Sequence, residues 1–202
     1  MTRVGEIVSV LARPDGGLER VVVPDHLVEH LFTDTGHRVT RADLDVFQLS
    51  ETQAFVRGRR RRQRHVNTTT VSHHPAVQAI RLFANDDGDA ASWLTHLRDI
   101  ISPFPVHGCL AMVPSRDQLM VLPLVDITSV GWLDVLVSAG QSAHNAAARP
   151  LSSRLLWVRS SGIASFHSEI SLDETALHAP DGFTDAVNRL AQRALRTVDA
   201  VA

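Results

Sequence analysis

The stretch Cys109-Leu-Ala-Met-Val-Pro-Ser-Arg-Asp-Gln-Leu-Met-Val-Leu-Pro123 decides how the rest of the chain is read. Two apolar runs, residues 109–113 and 119–122, flank a polar insert, Pro114-Ser115-Arg116-Asp117-Gln118. Apolar runs this short, bounded by turn residues, predict neighbouring buried strands joined by a turn. The turn then presents a serine, a fixed positive charge and a carboxylate side by side on a rigid support.

Working outward, residues 68–71 and 77–83 are β-branched or alternating and read as strands. The polar loop Asn85-Asp-Asp-Gly-Asp89 follows, with Asp89 as cap of an expected helix over 90–101 that Pro103 and Pro105 end. Downstream, a helix is expected over 132–148, a hairpin over 155–158 and 163–166 around Ser160-Ser-Gly162, and a closing amphipathic helix over 183–198. At the N-terminus, residues 4–11 and 17–23 are β-rich and separated by Arg13-Pro-Asp-Gly-Gly17, which predicts a hairpin. Asp25 is expected to cap a helix over 25–32, and Thr40 a helical turn over 38–44. Ser50 and Gln53 form a capping-box pattern that opens a helix running to about His65. Strands and helices mix without strict alternation, so the expected fold is α+β, with a mixed or mainly antiparallel sheet and helices packed on it. A single domain over 1–202 is expected, divisible into a hairpin and helical part, 1–66, and a core, 67–202.

Bulk properties narrow the function classes. A chain of 202 residues can bury roughly 70% of its unfolded surface and needs no disulfide or metal to hold a core. It is 44% hydrophobic and 21% charged, with a formal charge of −2, so no charge excess dictates a partner. All 20 basic residues are arginine, tyrosine is absent, and the single cysteine, Cys109, sits in an apolar run as a small core residue. No signal peptide and no membrane-spanning run is read, which makes a cytoplasmic bacterial protein the expectation.

The segment Ala111-Met-Val-Pro-Ser-Arg-Asp-Gln-Leu-Met-Val121 resembles the "avPsRD-x-L-x-V" element of the bacterial DUF1444 family, also called YtpQ-like or UPF0354. Residues 139–157, with Pro150-Leu-Ser-Ser-Arg-Leu-Leu-Trp157, are similar to that family's helix and "pLSpxLf" strand entry. Val39-Thr-Arg-Ala-Asp-Leu-Asp-Val-Phe-Gln-Leu-Ser50 resembles its "v-x-x-e-d-L-x-x-w-g-l-s" element, with Phe47 and Gln48 where tryptophan and glycine are usual. The resemblance spans residues 38–166 and implies a cytoplasmic α+β domain. It carries over no activity and no catalytic residues.

Two readings compete for the Ser115-Arg116-Asp117 turn. In one, the arginine fork holds a phosphate or carboxylate while Ser115 and turn amides add donors. In the other, Asp117 accepts from turn groups and Arg116 pairs with a neighbouring carboxylate to brace the strands, the commoner use of such residues. Asp86, Asp87 and His144 are the further residues expected to line an anion site there. A nucleophilic Ser115 lacks the Gly-x-Ser-x-Gly elbow. The run from Arg57 to Arg64, Arg57-Gly-Arg-Arg-Arg-Arg-Gln-Arg64, has six arginines, yet without interleaved aromatics it reads as a solvated helix end or a docking surface for an acidic partner. The 11 histidines come with a single cysteine and hence no Cys-x-x-Cys spacing, and no metal is expected. The three tryptophans, Trp93, Trp132 and Trp157, are expected in the core or at a subdomain contact. The expectation that emerges is a non-catalytic module, without cofactor, that binds a small anionic ligand or a protein partner. The alternatives are a hydrolase or transferase using Ser115, Asp117 and a histidine, or a nucleic-acid-associated protein.

Overall fold

The computed structural model describes residues 7–63, 69–85, 88–170 and 175–199. Strands β1 (Ile7–Ala12), β2 (Glu19–Val23) and β3 (Leu27–Thr33) form an antiparallel sheet in the order β1-β3-β2. This corrects two expectations. β1 and β2 do not form a hairpin with each other, and the segment expected as a helix over 25–32 is the strand between them. Asp25 has a left-handed φ of 61° and turns the chain instead of capping a helix. Leu27, Val28 and Leu31 are spaced to fit a helix or a buried strand equally well, and only pairing on both sides decides.

Two short helices, α1 (Arg41–Phe47) and α2 (Glu51–Gln63), follow as expected. Thr40 and Asp43 cap the first reciprocally, with Thr40 N donating to Asp43 Oδ2 at 2.8 Å. At the second, Gln53 N donates to Ser50 Oγ at 3.2 Å and Ser50 N to Gln53 Oε1 at 2.9 Å. Leu44, Ala54 and Phe55 pack on Leu18, Leu31 and Val39. A Cβ on Gly58 would meet the Leu31 side chain and the Ser9 backbone, so glycine lets α2 sit directly on the first sheet.

The central sheet comprises β4 (Thr69–His74), β5 (Val77–Asn85), β6 (Cys109–Ser115), β7 (Gln118–Pro123), β8 (Leu155–Arg159) and β9 (Gly162–Ser165), in the order β4-β5-β7-β6-β8-β9. All neighbours are antiparallel. The two runs of the opening stretch are thus the middle strands. Cys109, Ala111, Val113, Leu119 and Val121 face one side and pack with Trp93, Leu94 and Leu97, joined by Leu11, Val23 and Leu27 from the first sheet. Leu110, Met112, Met120 and Leu122 face the other side. With both faces covered there is no polar alternation, which is why these runs read as continuously apolar.

Between β5 and β6 runs a 3-10 stretch, Ala90–His96, and a single-turn helix, α3 (Leu97–Ile100), in place of the α-helix expected over 90–101. Asp89 makes no side-chain cap bond, because its carboxylate is engaged elsewhere. Ala90 to Leu94 are all buried, a burden an amphipathic α-helix with one wet face does not carry. The second face of the central sheet is covered by α5 (Leu133–Ala146) and α6 (Phe183–Asp199), with α4 (Ile127–Val130) before them and the hairpin of β10 (His167–Ile170) and β11 (Thr175–His178) between them. Trp157 and Phe166 each meet Phe183 edge to face, at 5.3 and 4.9 Å. Trp93 and Trp157 are core residues as expected, but Trp132, just ahead of α5, is 41% exposed. Among the described residues no helix is long and apolar enough to cross a membrane.

Candidate functional site

The β6–β7 pairing runs Met112 to Met120, then slips by one residue so that Ser115 faces Gln118. The slip lies at Val113 and Pro114, where proline has no N–H to give the ladder, and it leaves Arg116 and Asp117 as the turn. Buried Ser115 donates its hydroxyl proton to Asp117 Oδ1 at 2.7 Å. Arg116 turns back onto Asp89, with Nε 3.5 Å from Oδ1, while its carbonyl accepts from Ala91 N at 3.0 Å. Asp89, 1% exposed, also accepts from Ser92 Oγ at 2.8 Å, and Ser92 Oγ accepts from Leu11 N at 3.1 Å. The turn is therefore tied through one buried carboxylate to the 3-10 stretch and to β1. This is the bracing arrangement, with Asp89 as the neighbouring carboxylate.

Of the other residues expected at that turn, Asp86 and Asp87 lie outside the described residues, as does Arg64 of the arginine run. His144 is placed in a cleft of about 430 Å³ with Arg13, Asp25, His26, Ser152 and Arg154, a cleft that neither Arg116 nor Asp117 lines. The connection from α5 to β8 is strapped along β6: Leu151 N donates to Pro114 O at 2.9 Å and Ser152 N to Val113 O at 3.0 Å. Arg13 Nε donates to Leu151 O at 2.8 Å, which holds the guanidinium over the cleft, and its Nη2 donates to His144 Nε2 at 3.3 Å. Arg154 N donates to Ser152 Oγ at 3.2 Å, and Arg154 Nη1 donates to His167 Nδ1 at 3.3 Å. The same bulge that shapes the Pro-Ser-Arg-Asp turn thus anchors the floor of this cleft.

The charge balance of the cleft follows from these bonds. A guanidinium can only donate, so His144 Nε2 and His167 Nδ1 accept in these bonds, and neither supplies a counter-charge to its arginine. Burial, reinforced by the Arg154 charge, lowers the pKa of His26 below its ordinary 6.5. Among the described residues, Asp25 is the one acidic residue lining the cleft. An anion entering here meets two guanidinium groups, two serine hydroxyls and the imidazoles of His26 and His144. Arg13 sits in the Arg13-Pro-Asp-Gly-Gly17 turn and Arg154 in Leu151-Ser-Ser-Arg154, segments legible only as a turn and a strand entry. His26 fell inside the segment expected as a helix.

Elsewhere, the arginine run divides. Arg57 and Arg60 are exposed, whereas Arg59 reaches buried Glu29 on β3, with Nε 2.8 and 2.9 Å from its two oxygens and Nη2 2.6 Å from Oε2. The run is therefore part helix end and part internal brace. Asp15, Glu19 and buried His30 gather with their donor atoms within 4.8 Å of one another. Arg38 occupies that position itself, Nη2 lying 2.7 Å from Asp15 Oδ1 and 3.0 Å from His30 Nε2, so the cation there is a side chain. Burial pushes the Cys109 thiol up to about 12, as befits a core residue and not a nucleophile.

No protein-family model, no curated protein and no solved structure matches this chain.

Proposed function

We propose that this protein is a non-catalytic module that binds a small anion in the cleft between Arg13, His144 and Arg154. The observation that carries the reading is the pinning of Arg13: its Nε is held by the Leu151 carbonyl and its Nη2 by His144, at a cleft whose second cation, Arg154, is held by His167. Pre-positioned guanidinium forks suit phosphate and carboxylate groups, and the pinning removes part of the entropy cost of binding. The cleft volume, about 430 Å³, lies in the usual range for small-molecule sites. A cytoplasmic setting and kinship with the DUF1444 family belong to the same proposal, and neither supplies an activity. The hydrolase alternative gains no support from the histidine it requires, since the Ser115 hydroxyl donates to Asp117 and not to an imidazole.

The test is a titration of the full chain with phosphate and with simple carboxylates, followed by thermal unfolding. A ligand at 100 times its Kd stabilises the folded state by about 2.7 kcal/mol, a rise in Tm of about 5–10 °C for a chain of this length. Arg13→Ala and Arg154→Ala are each expected to weaken binding about tenfold or more, while Arg116→Ala leaves it unchanged. Absence of saturable binding, or undiminished binding by both cleft variants, overturns the reading.

A further inference from the structure

A second basic cleft lies along the same side of the molecule. Arg20 from β2, Arg59 from α2, Arg98 from α3 and Arg159 from the end of β8 converge on a space of about 490 Å³, floored by the Ser160-Ser161-Gly162 turn. Among the described residues that line it, none is acidic. Arg59 is already neutralised by Glu29, so Arg20, Arg98 and Arg159 carry the positive charge of the cleft. Arg159 is the best positioned of the three. Its guanidinium lies over the Trp157 ring, 4.2 Å from the centroid, and that indole is fixed by donating to His107 O at 2.8 Å. Arg159 Nε is buried and has no hydrogen-bond partner in the structure.

Arg159 also joins this cleft to the one already described. It lines an intermediate cleft of about 780 Å³ together with His26, Arg154, His167 and the carboxylates Asp25 and Asp181, and that space shares Asp25, His26 and Arg154 with the Arg13 cleft. The three spaces adjoin through shared lining residues and together carry six arginines against two aspartates, on a protein whose formal charge is −2. Among the described residues no Phe, Trp or Tyr lines any of them; the rings that do are the imidazoles of His26, His144 and His167, smaller platforms for base stacking than an indole or a phenyl ring. A single-stranded nucleic acid is therefore a poorer fit than a chain of phosphates without bases.

We propose that these adjoining clefts bind a linear polyphosphate, one end held between Arg13 and Arg154 and the other between Arg20, Arg98 and Arg159. The inference rests on the small-anion reading and extends it to the chemical class of the ligand. Calorimetric titration of the full chain with orthophosphate, tripolyphosphate and long-chain polyphosphate tests it. Affinity is expected to rise at least about tenfold from orthophosphate to the long chain, with a steeper salt dependence. The double variant Arg20→Ala/Arg98→Ala changes two exposed side chains; it is expected to erase that gain and leave orthophosphate binding untouched. Orthophosphate binding with no effect of chain length, or a double variant that keeps the gain, overturns the polyphosphate inference alone. A single-stranded oligonucleotide of equal charge that binds more tightly than polyphosphate overturns it in favour of nucleic acid. Failure of orthophosphate to bind at all removes the small-anion reading beneath it.

Discussion

Arg116 and Arg59 show how a single side chain can be read two ways until its partner is known. Each is an arginine beside polar neighbours in sequence, and each is engaged by a buried carboxylate from a distant segment, Asp89 and Glu29 respectively. Removing an arginine from such a pair takes a charge partner from a buried carboxylate, which costs more than the pair contributes. Arg59→Met is therefore expected to destabilise the fold by about 3 kcal/mol. Arg116→Ala, whose side chain is partly exposed and whose contact is longer, is expected to cost about 2 kcal/mol. Urea unfolding of the two variants checks both figures, and unfolding midpoints within error of the wild type count against the bracing roles. His26 behaves in the opposite sense. Its pKa is lowered by burial and by Arg154, and an anion bound beside it raises that pKa again, so binding takes up a proton. Affinity for sulfate, which does not itself titrate in this range, is expected to increase as pH falls through the ordinary histidine value of 6.5. A His26→Gln variant is expected to lose that pH dependence.

At the scale of elements, local signals worked where they were closed within a few residues. Thr40 with Asp43 and Ser50 with Gln53 announce α1 and α2 because both halves of each capping box lie within one turn. They failed at β3 and at the 3-10 stretch, where the deciding bonds come from elsewhere. β3 is a strand because β1 and β2 flank it, and residues 90–96 tighten because Asp89 serves Ser92 and Arg116 instead of capping. The helix carrying His144 was readable from its spacing, but its depth against the sheet was not. A Cβ on Gly140 of α5 would collide with the Met112 side chain of β6. Gly140→Ala is accordingly expected to destabilise by about 1–3 kcal/mol through overpacking, although alanine is the better helix former. An increase in unfolding midpoint for that variant runs against the close packing described.

Across the whole molecule, the pH response sums over groups that only the fold perturbs. His26 and His96 have pKa values lowered chiefly by burial, so the unfolded chain takes up their protons first as pH drops. Their contribution is present above the unfolded value of 6.5 and is lost as pH falls below it. Asp43 and Asp126, lowered mainly by hydrogen bonds at helix starts, add a second loss below the ordinary 3.8. Thermal melts from neutral to acid pH are expected to show a plateau and then two descending steps, the first shallower in a His96→Gln variant. A Tm that rises on mild acidification contradicts this. The α+β class, the buried middle strands and most helices could be read from the residues alone, because hydrophobic runs, turn residues and caps act over short distances. The neighbours of β3, the carboxylates that claim Arg59 and Arg116, and the gathering of Arg13, His26, His144 and Arg154 around one cleft could not. Those depend on which distant segments pack together, and burial and charge pairing exist only once they have.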